Sequence, residues 1–120
     1  MKRIGEHKKY IRKILKRLET VNPKLVIVFG SYANKNLTED SDLDLLIVLD
    51  ENKVPSSYDE KIKMKLKVRK AIRELNREIA IDLLIYTIPE YEEFINSGSS
   101  FSKEIKETGK IIYEMSSVGP

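Results

Sequence analysis

The chain has 120 residues, of which 41% are hydrophobic and 34% charged, enough for one small domain around a single core. Twenty-two Lys and Arg residues stand against nineteen Asp and Glu residues, so the net charge of +3 is mild and is not that of a polycation. The absence of Cys and the single His exclude a disulfide framework, a thiol nucleophile and a zinc site built from Cys and His. No apolar run approaches the roughly twenty residues of a membrane span and no secretory signal is visible, so we expect a cytoplasmic protein.

The first third of the chain predicts a helix followed by a buried strand. Apolar residues recur at three- and four-residue spacing over 5–19, with Lys and Arg between them, as in an amphipathic helix. Asn22-Pro23 ends this helix, since the residue before a proline avoids helical angles. Residues 25–29, LVIVF, are rich in β-branched side chains and predict a buried strand, which Gly30 terminates.

The central third predicts a second strand and a long helix. The polar residues 34–42 indicate a loop or a frayed helical turn, and 43–49, LDLLIVL, indicate a strand that is apolar on both faces apart from one acid. The segment 61–79 alternates like a strand at first, but its apolar residues keep helical spacing to the end. Because Ser57 followed by Glu60 has the pattern of a capping box, we predict a helix there.

The last third predicts one more strand and two short helices. Residues 81–86, IDLLIY, repeat the character of the second strand. Helices are expected over 90–96, directly after a proline, and over 103–107, and the segment 110–113 is a brief apolar stretch before a loose tail. The chain 1–120 therefore predicts a single α/β (α+β) domain in which helices pack on a small mixed β-sheet.

Three carboxylates lie in or next to otherwise apolar strands. Asp42 and Asp44 are two residues apart at the start of the second strand, so their side chains point to the same face. Asp82 is the second residue of the third strand, and all three acids converge if these two strands are neighbours. Strands disfavour Asp, and an unpaired buried carboxylate is costly. Either Lys and Arg side chains neutralise the acids or a hard cation does, and oxygen ligands without His or Cys suit Mg²⁺ better than Zn²⁺.

Gly30-Ser31 follows the first strand directly. A glycine permits close backbone approach to a ligand, and free N–H groups at a following helical turn can bind phosphate oxygens together with the Ser31 hydroxyl. The segment is neither a Walker loop nor a nucleophile elbow, because it lacks the further residues that define those motifs. Alone, a Gly-Ser pair at this place is typical of an ordinary turn that ends a strand. Together with the carboxylates it gives a phosphate-binding turn next to cation ligands, which is what a metal-bound nucleoside triphosphate needs.

The spacing of these residues resembles the signature of the DNA polymerase β-like nucleotidyltransferases. The GS pair at 30–31, ten further residues and the DLD triplet at 42–44 are similar to the GS-x10-DxD motif of that superfamily. Asp82 resembles its third carboxylate, which stands on a later strand. The terminal pattern F…EI…GK.IYE looks like the end of minimal nucleotidyltransferase (MNT) domains, and the resemblance covers a core of residues 24–114.

The resemblance implies the polymerase β-like fold, a reaction and a role for each residue. Asp42 and Asp44 would hold two Mg²⁺ ions, and Asp82 would ligate the ion that activates an acceptor hydroxyl. Gly30 and Ser31 would hold the triphosphate of ATP. Two metals about 3.5–4 Å apart stabilise the attacking and leaving oxygens of an in-line displacement, so no protein nucleophile is required. The expected reaction moves a nucleoside monophosphate, AMP, from ATP to a hydroxyl and releases pyrophosphate.

The resemblance also suggests a biological role for the chain, and two alternative functions remain open. Small members of the family look like antitoxins that modify a tyrosine of a HEPN-domain toxin with AMP, so a HEPN-type partner, or a second copy of this chain, would hold the acceptor. Many minimal members read GSxARG, whereas Asn34-Lys35 stand here in place of arginine and glycine. Either Lys35 supplies the missing basic contact or catalysis is weakened, and the second case is the one feature that supports the alternative of a catalytically degenerate partner-binding module. A basic RNA-binding domain is a further alternative, since 61–77 carries eight Lys and Arg residues, although no aromatic residues interleave them.

Overall fold

The computed structural model describes residues 4–30 and 42–115, and four strands and five α-helices follow one another within them. The elements are α1 (Ile4–Leu18), β1 (Pro23–Phe29), β2 (Leu43–Leu49), α2 (Tyr58–Ala71), α3 (Arg73–Glu78), β3 (Ile81–Tyr86), α4 (Ile88–Ile95), α5 (Ser100–Thr108) and β4 (Lys110–Glu114). A short 3₁₀ helix, Glu19–Val21, links α1 to β1. Of the helices in these ranges, none combines the length and the apolar character needed to cross a bilayer.

The strands form one mixed sheet with the order β3-β2-β1-β4. β2 and β3 run parallel, whereas β1 runs antiparallel to both of its neighbours, β2 and β4. The carboxyl end of β1 and the amino ends of β2 and β3 therefore lie at the same end of the sheet, which we call the site end. Gly30 follows β1 there, and Asp44 and Asp82 each occupy the second position of their strands.

Alternate residues of β2 and β3 face opposite layers of helices. The odd-numbered residues of both strands pack against α1, α2 and α3 in the larger core cluster. The even-numbered residues pack on the other face against α4 and α5, and they include Leu46, Val48, Leu84 and Tyr86. Asp44 and Asp82 are even-numbered, so they lie on the face that α4 and α5 cover. The predicted fold class, a mixed sheet with helices packed on it, is confirmed.

The predicted helix over 61–79 is two helices, α2 and α3, which meet at Ile72. This residue leaves helical angles (φ −110°, ψ 11°) and is almost completely buried, so the chain changes direction while Ile72 stays in the core. The predicted cap is present, because the Glu60 N–H donates to the Ser57 hydroxyl over 3.2 Å. The reciprocal bond is displaced by one residue, since the Glu60 carboxylate accepts from the Ser56 N–H at 2.7 Å.

Helices α4 and α5 both begin earlier than predicted, at N-terminal caps. The Thr87 N–H donates to the Glu90 carboxylate over 2.9 Å at the start of α4. The Ser102 N–H donates to the Ser99 hydroxyl over 3.1 Å at the start of α5. Helix α4 thus begins two residues and α5 three residues before the predicted start, and the cap of α5 brings Phe101 into its first turn.

The end of the chain forms a fourth strand that the sequence pattern does not predict. The segment 110–113, expected only as an apolar stretch, is part of β4, which pairs antiparallel with β1. Gly109 permits the turn from α5 into β4, because a Cβ there would overlap the Ile105 carbonyl and press on the Ile27 side chain. Since Lys110 pairs with Val28 near the carboxyl end of β1, this pairing brings the end of α5 to the site end of the sheet.

Candidate active site

The register between β2 and β3 brings two of the predicted acids side by side. Asp44 and Asp82 are direct partners in the parallel ladder, and their carboxyl groups are close enough for Asp82 to raise the pKa of Asp44. Asp42 lies one residue before β2 and is close enough to act electrostatically on Asp44. Asp44 is half-buried, whereas Asp42 and Asp82 are exposed. The structure therefore brings all three predicted acids together at the site end.

Asp44 holds its proton more tightly than an ordinary aspartic acid. Burial, followed by the neighbouring carboxyl groups of Asp82, Asp42 and Glu104, raises its pKa from 3.8 to about 6. The ion pairs found within the described ranges involve none of these four acids, so no Lys or Arg of those ranges forms a salt bridge with them. A cluster of carboxylates attracts a cation, because a cation reduces the repulsion between them. A hard cation was the second of the two explanations that the sequence offered for these acids.

Gly30 lies directly against Asp44, and a side chain there would displace the Asp44 carboxylate. Its φ of +72° is a conformation that L-residues rarely adopt, and a Cβ would overlap Oδ2 of Asp44. The glycine thus has two functions, a backbone turn at the end of β1 and room for the central carboxylate. Ser31, the other predicted phosphate-binding residue, lies outside the described residues, as do Asn34 and Lys35.

Helix α5 adds residues that sequence reasoning did not assign to the site. Glu104 is exposed and close enough to contribute to the raised pKa of Asp44. Phe101, three residues earlier, contacts Phe29 edge-to-face with 5.4 Å between ring centroids, and Phe29 pairs with Asp44 in the β1–β2 ladder. The only sequence signal for these residues is the terminal F…EI pattern, because α5 reaches the site through the pairing of β4 with β1.

The donor set at the site end suits a hard divalent cation. Asp42, Asp44 and Asp82 offer only oxygen atoms, which Mg²⁺ prefers, and a cation relieves their mutual repulsion. Within the described ranges, no three His, Cys, Asp or Glu side chains are already arranged as a metal site. Asp42 and Asp82 are exposed, and both lie close enough to Asp44 to raise its pKa. These residues therefore fit Mg²⁺ by the chemistry of their donor atoms.

A comparison with known families identifies the class of protein to which this fold and site belong. A family model described as a nucleotidyltransferase domain matches residues 8–119, which is nearly the whole chain and includes the site. The chain belongs to this family of nucleotidyltransferase domains. The GS and DLD motifs predicted membership in a nucleotidyltransferase family, and this prediction is confirmed.

Two proteins of the archaeon Methanocaldococcus jannaschii are similar in sequence. One, named "Putative protein adenylyltransferase MJ1379", is 42% identical over 57 residues, which cover 47% of this chain and 57% of that protein. The other, named "Putative protein adenylyltransferase MJ0604", is 34% identical over 92 residues, which cover 75% of this chain and 78% of that protein. The alignment thus spans little more than half of the first relative and over three quarters of the second.

Solved structures share the fold at low sequence identity. A protein from Sulfolobus solfataricus, described as a putative nucleotidyltransferase, superposes with a TM-score of 0.59 at 18% identity, covering 88% of this chain and 78% of that chain. A toxin–antitoxin structure determined with AMP-PNP superposes with a TM-score of 0.53 at 17% identity, covering 87% of this chain and 73% of that chain. At these identities the likeness establishes the fold.

Proposed function

We propose that this chain transfers AMP from Mg²⁺-bound ATP to a hydroxyl group of a protein partner. The observation that carries the proposal is the pairing of Asp44 with Asp82 directly beside Gly30. Carboxylates on two adjacent strands supply cation ligands, and the bare glycine leaves room for the Asp44 carboxylate at the end of β1. Family membership supports the reaction class, and the names of the two M. jannaschii relatives support AMP as the transferred group.

The roles of the site residues follow from their positions and from the family resemblance. Asp42 and Asp44 would hold the cations together with the triphosphate, and Asp82 would complete the ligand set on the acceptor side. Mg²⁺, when bound, supplies the positive charge that stabilises the attacking and leaving oxygens. The acceptor oxygen forms a bond to the α-phosphorus, the bond from that phosphorus to the oxygen bridging to the β-phosphate breaks, and pyrophosphate leaves. The hydroxyl proton passes to solvent, and no protein nucleophile takes part.

The proposed acceptor is a tyrosine of a HEPN-type toxin, for which this chain acts as the antitoxin. The toxin–antitoxin structure determined with AMP-PNP supports a protein partner and a nucleotide for this fold. The HEPN class and the tyrosine follow from the resemblance of the GS and DLD motifs to MNT-type antitoxins. Because the reaction consumes ATP, the cytoplasm is the compartment in which we expect it.

Replacement of Asp44 by Asn tests the reaction. Asn preserves the shape of the side chain but removes the charge that would bind the cation, so Asp44→Asn is expected to lower the transfer of α-labelled ATP roughly 100-fold or more. Asp50→Asn is the matched control, because Asp50 is exposed at the opposite end of β2, and it should retain full activity. Undiminished transfer by the Asp44 variant would contradict the mechanism.

Mass spectrometry of a co-expressed partner tests the acceptor. The first partner to examine is a small all-helical protein encoded by a neighbouring reading frame, and wild-type chain is expected to add the mass of AMP to one of its tyrosines. The Asp44→Asn variant provides the unmodified reference. A stable complex whose partner carries no added AMP would instead identify this chain as a non-catalytic partner-binding module.

A further inference from the structure

Helix α5 presents an aromatic ring and a carboxylate beside the site end. Ser102 and Ile105 are buried, and Ile105 packs on the sheet, so the rotation of the helix about its axis is fixed. Phe101 and Glu104 are three residues apart and are therefore neighbours on the adjoining flank of the helix. Both of these side chains are exposed. The helix thus holds a ring and an acid together in solvent next to the carboxylates.

All three phenylalanines of the chain meet at this place. Phe101 contacts Phe29 and Phe94 edge-to-face, with 5.4 Å between ring centroids in each pair. Such contacts restrict the orientation of a ring. Phe101 is nevertheless 36% exposed, whereas Phe29 and Phe94 are half-buried. The two inner rings therefore support Phe101 and leave part of its surface open for a ligand.

This ring and carboxylate adjoin the position at which phosphates would bind. Phe29 immediately precedes Gly30 and pairs with Asp44, and Glu104 acts on Asp44 electrostatically. In a nucleoside triphosphate the ribose follows the α-phosphate, and the base follows the ribose. A triphosphate held at the acids with its α-phosphate towards α5 would bring its nucleoside to Phe101 and Glu104.

We propose that α5 recognises the nucleoside half of the substrate, with Phe101 stacking on the base and Glu104 accepting a hydrogen bond from a ribose hydroxyl. Every nucleobase offers a flat face to an aromatic side chain, and acidic side chains recognise ribose hydroxyls in other nucleotide-binding folds. The inference rests on the proposed function, since it needs a nucleotide at the site end. It adds two residues that determine substrate affinity rather than the chemical step.

Substitution of Phe101 tests the stacking contact. Phe101→Leu keeps an apolar side chain without the ring and is expected to raise the KM for ATP about tenfold, whereas Phe101→Trp should preserve it. Inhibition by tripolyphosphate, which has no nucleoside, should be the same in all three proteins. Tyr58→Leu removes an aromatic side chain that is 78% exposed at the start of α2, and it serves as the control. Circular dichroism and thermal unfolding establish that each variant is folded.

Substitution of Glu104 tests the ribose contact. The wild-type protein is expected to prefer ATP over 2′-deoxy-ATP or 3′-deoxy-ATP several-fold in KM, and Glu104→Ala should remove that preference. Glu107→Ala, an exposed acid on the same helix, should keep it. Equal KM values for ATP in the wild type and Phe101→Leu, or a ribose preference that survives Glu104→Ala, would overturn the corresponding contact.

The measurements also separate this inference from the proposed function. If wild-type protein transfers AMP but Phe101→Leu changes only the KM for the acceptor, Phe101 binds the acceptor and the inference is wrong while the proposed function stands. If calorimetry detects no Mg²⁺-dependent ATP binding to the wild type and no transfer occurs with an identified partner, the proposed function itself fails.

Discussion

At the scale of single residues, two glycines share one unusual backbone angle, but only one of them touches the site. Gly30 and Gly98 both have a φ of +72°. A Cβ at Gly30 would overlap Oδ2 of Asp44, whereas a Cβ at Gly98 would have no neighbouring atom within 4 Å. The same substitution at both glycines therefore separates two effects. Backbone strain occurs at both positions, whereas displacement of Asp44 occurs only at Gly30.

We expect Gly30→Ala to abolish most of the transfer activity and Gly98→Ala to preserve it. Both substitutions place a side chain at positive φ, which costs about 1–2 kcal/mol of stability. Only Gly30→Ala also pushes Asp44 away from Asp82, so AMP transfer should fall at least about tenfold in that variant. Thermal unfolding and labelled-ATP transfer on both proteins check this, and equal activities would show that the space beside Asp44 is not required.

The three acids of the site could be predicted from the sequence, but the residues of α5 that lie near them could not. Asp44 and Asp82 are recognisable because a charged residue interrupts a strand that is otherwise apolar, and such an interruption has few structural explanations. Glu104 has no such signature, because an exposed acid on a helix is ordinary. Its position within electrostatic range of Asp44 depends on how α5 and β4 pack, which local pattern does not encode.

At the scale of elements, β2 and β3 were predictable to the residue, whereas β1 begins two residues before the predicted 25–29. The segments 43–49 and 81–86 are nearly continuous apolar runs bounded by polar residues, and both match the observed strands β2 and β3. β4 has only five residues, with a charged residue at each end and an exposed Ile111 and Tyr113. It exists as a strand because β1 offers a partner, and a single sequence shows no sign of that pairing.

One half-buried ion pair ties the two helix layers together around the edge of β3. Nζ of Lys61, on α2, donates to the Glu90 carboxylate of α4 over 2.8 Å and to the Ile85 carbonyl over 3.0 Å. The same ammonium group lies 5.6 Å from the centre of the Tyr86 ring. Burial raises the pKa of Glu90, but the hydrogen bonds from Lys61 and Thr87 outweigh it, so the net pKa is below the ordinary 4.5.

We expect Glu90→Gln to destabilise the fold by about 1–3 kcal/mol at pH 7, because it removes a charge-assisted hydrogen bond. A carboxyl whose pKa is lowered in the folded state stabilises the fold at pH values above its ordinary pKa. This contribution is lost as the pH falls below about 4.5. The difference in the free energy of unfolding between wild type and variant should therefore disappear at acidic pH. Urea unfolding across this pH range measures it, with the exposed Glu93→Gln as control, and a difference that persists in acid would refute the ion-pair explanation.

At the scale of the whole molecule, the two helix layers carry opposite charge. The helices α1, α2 and α3 contain fourteen Lys and Arg residues against five Asp and Glu residues. The helices α4 and α5, on the face that holds Asp44 and Asp82, contain five Glu residues against two Lys residues. The proposed active site is thus on the side of the sheet that repels a free polyanion, and the basic layer lies across the sheet from it.

This separation predicts that ATP binds in two different ways, depending on Mg²⁺. Without the metal, the acids at the site end repel the triphosphate, and ATP should bind only weakly to the basic layer, with an affinity that falls steeply between about 50 and 200 mM salt. With Mg²⁺ the complex should bind at the site end, and its affinity should depend much less on salt. Isothermal titration at the two salt concentrations, with Mg²⁺ or with EDTA, measures both modes.

Paired variants assign each mode of ATP binding to its surface. Lys67 and Lys70 line a cleft between α1 and α2 together with Lys16 and Arg17. The double variant Lys67→Gln with Lys70→Gln should reduce the metal-free binding and leave the binding of Mg²⁺-ATP intact, whereas Asp44→Asn should do the reverse. If removal of the two lysines abolished the binding of Mg²⁺-ATP, the nucleotide would lie on the basic layer, and the acidic end of the sheet would no longer explain the transfer of AMP.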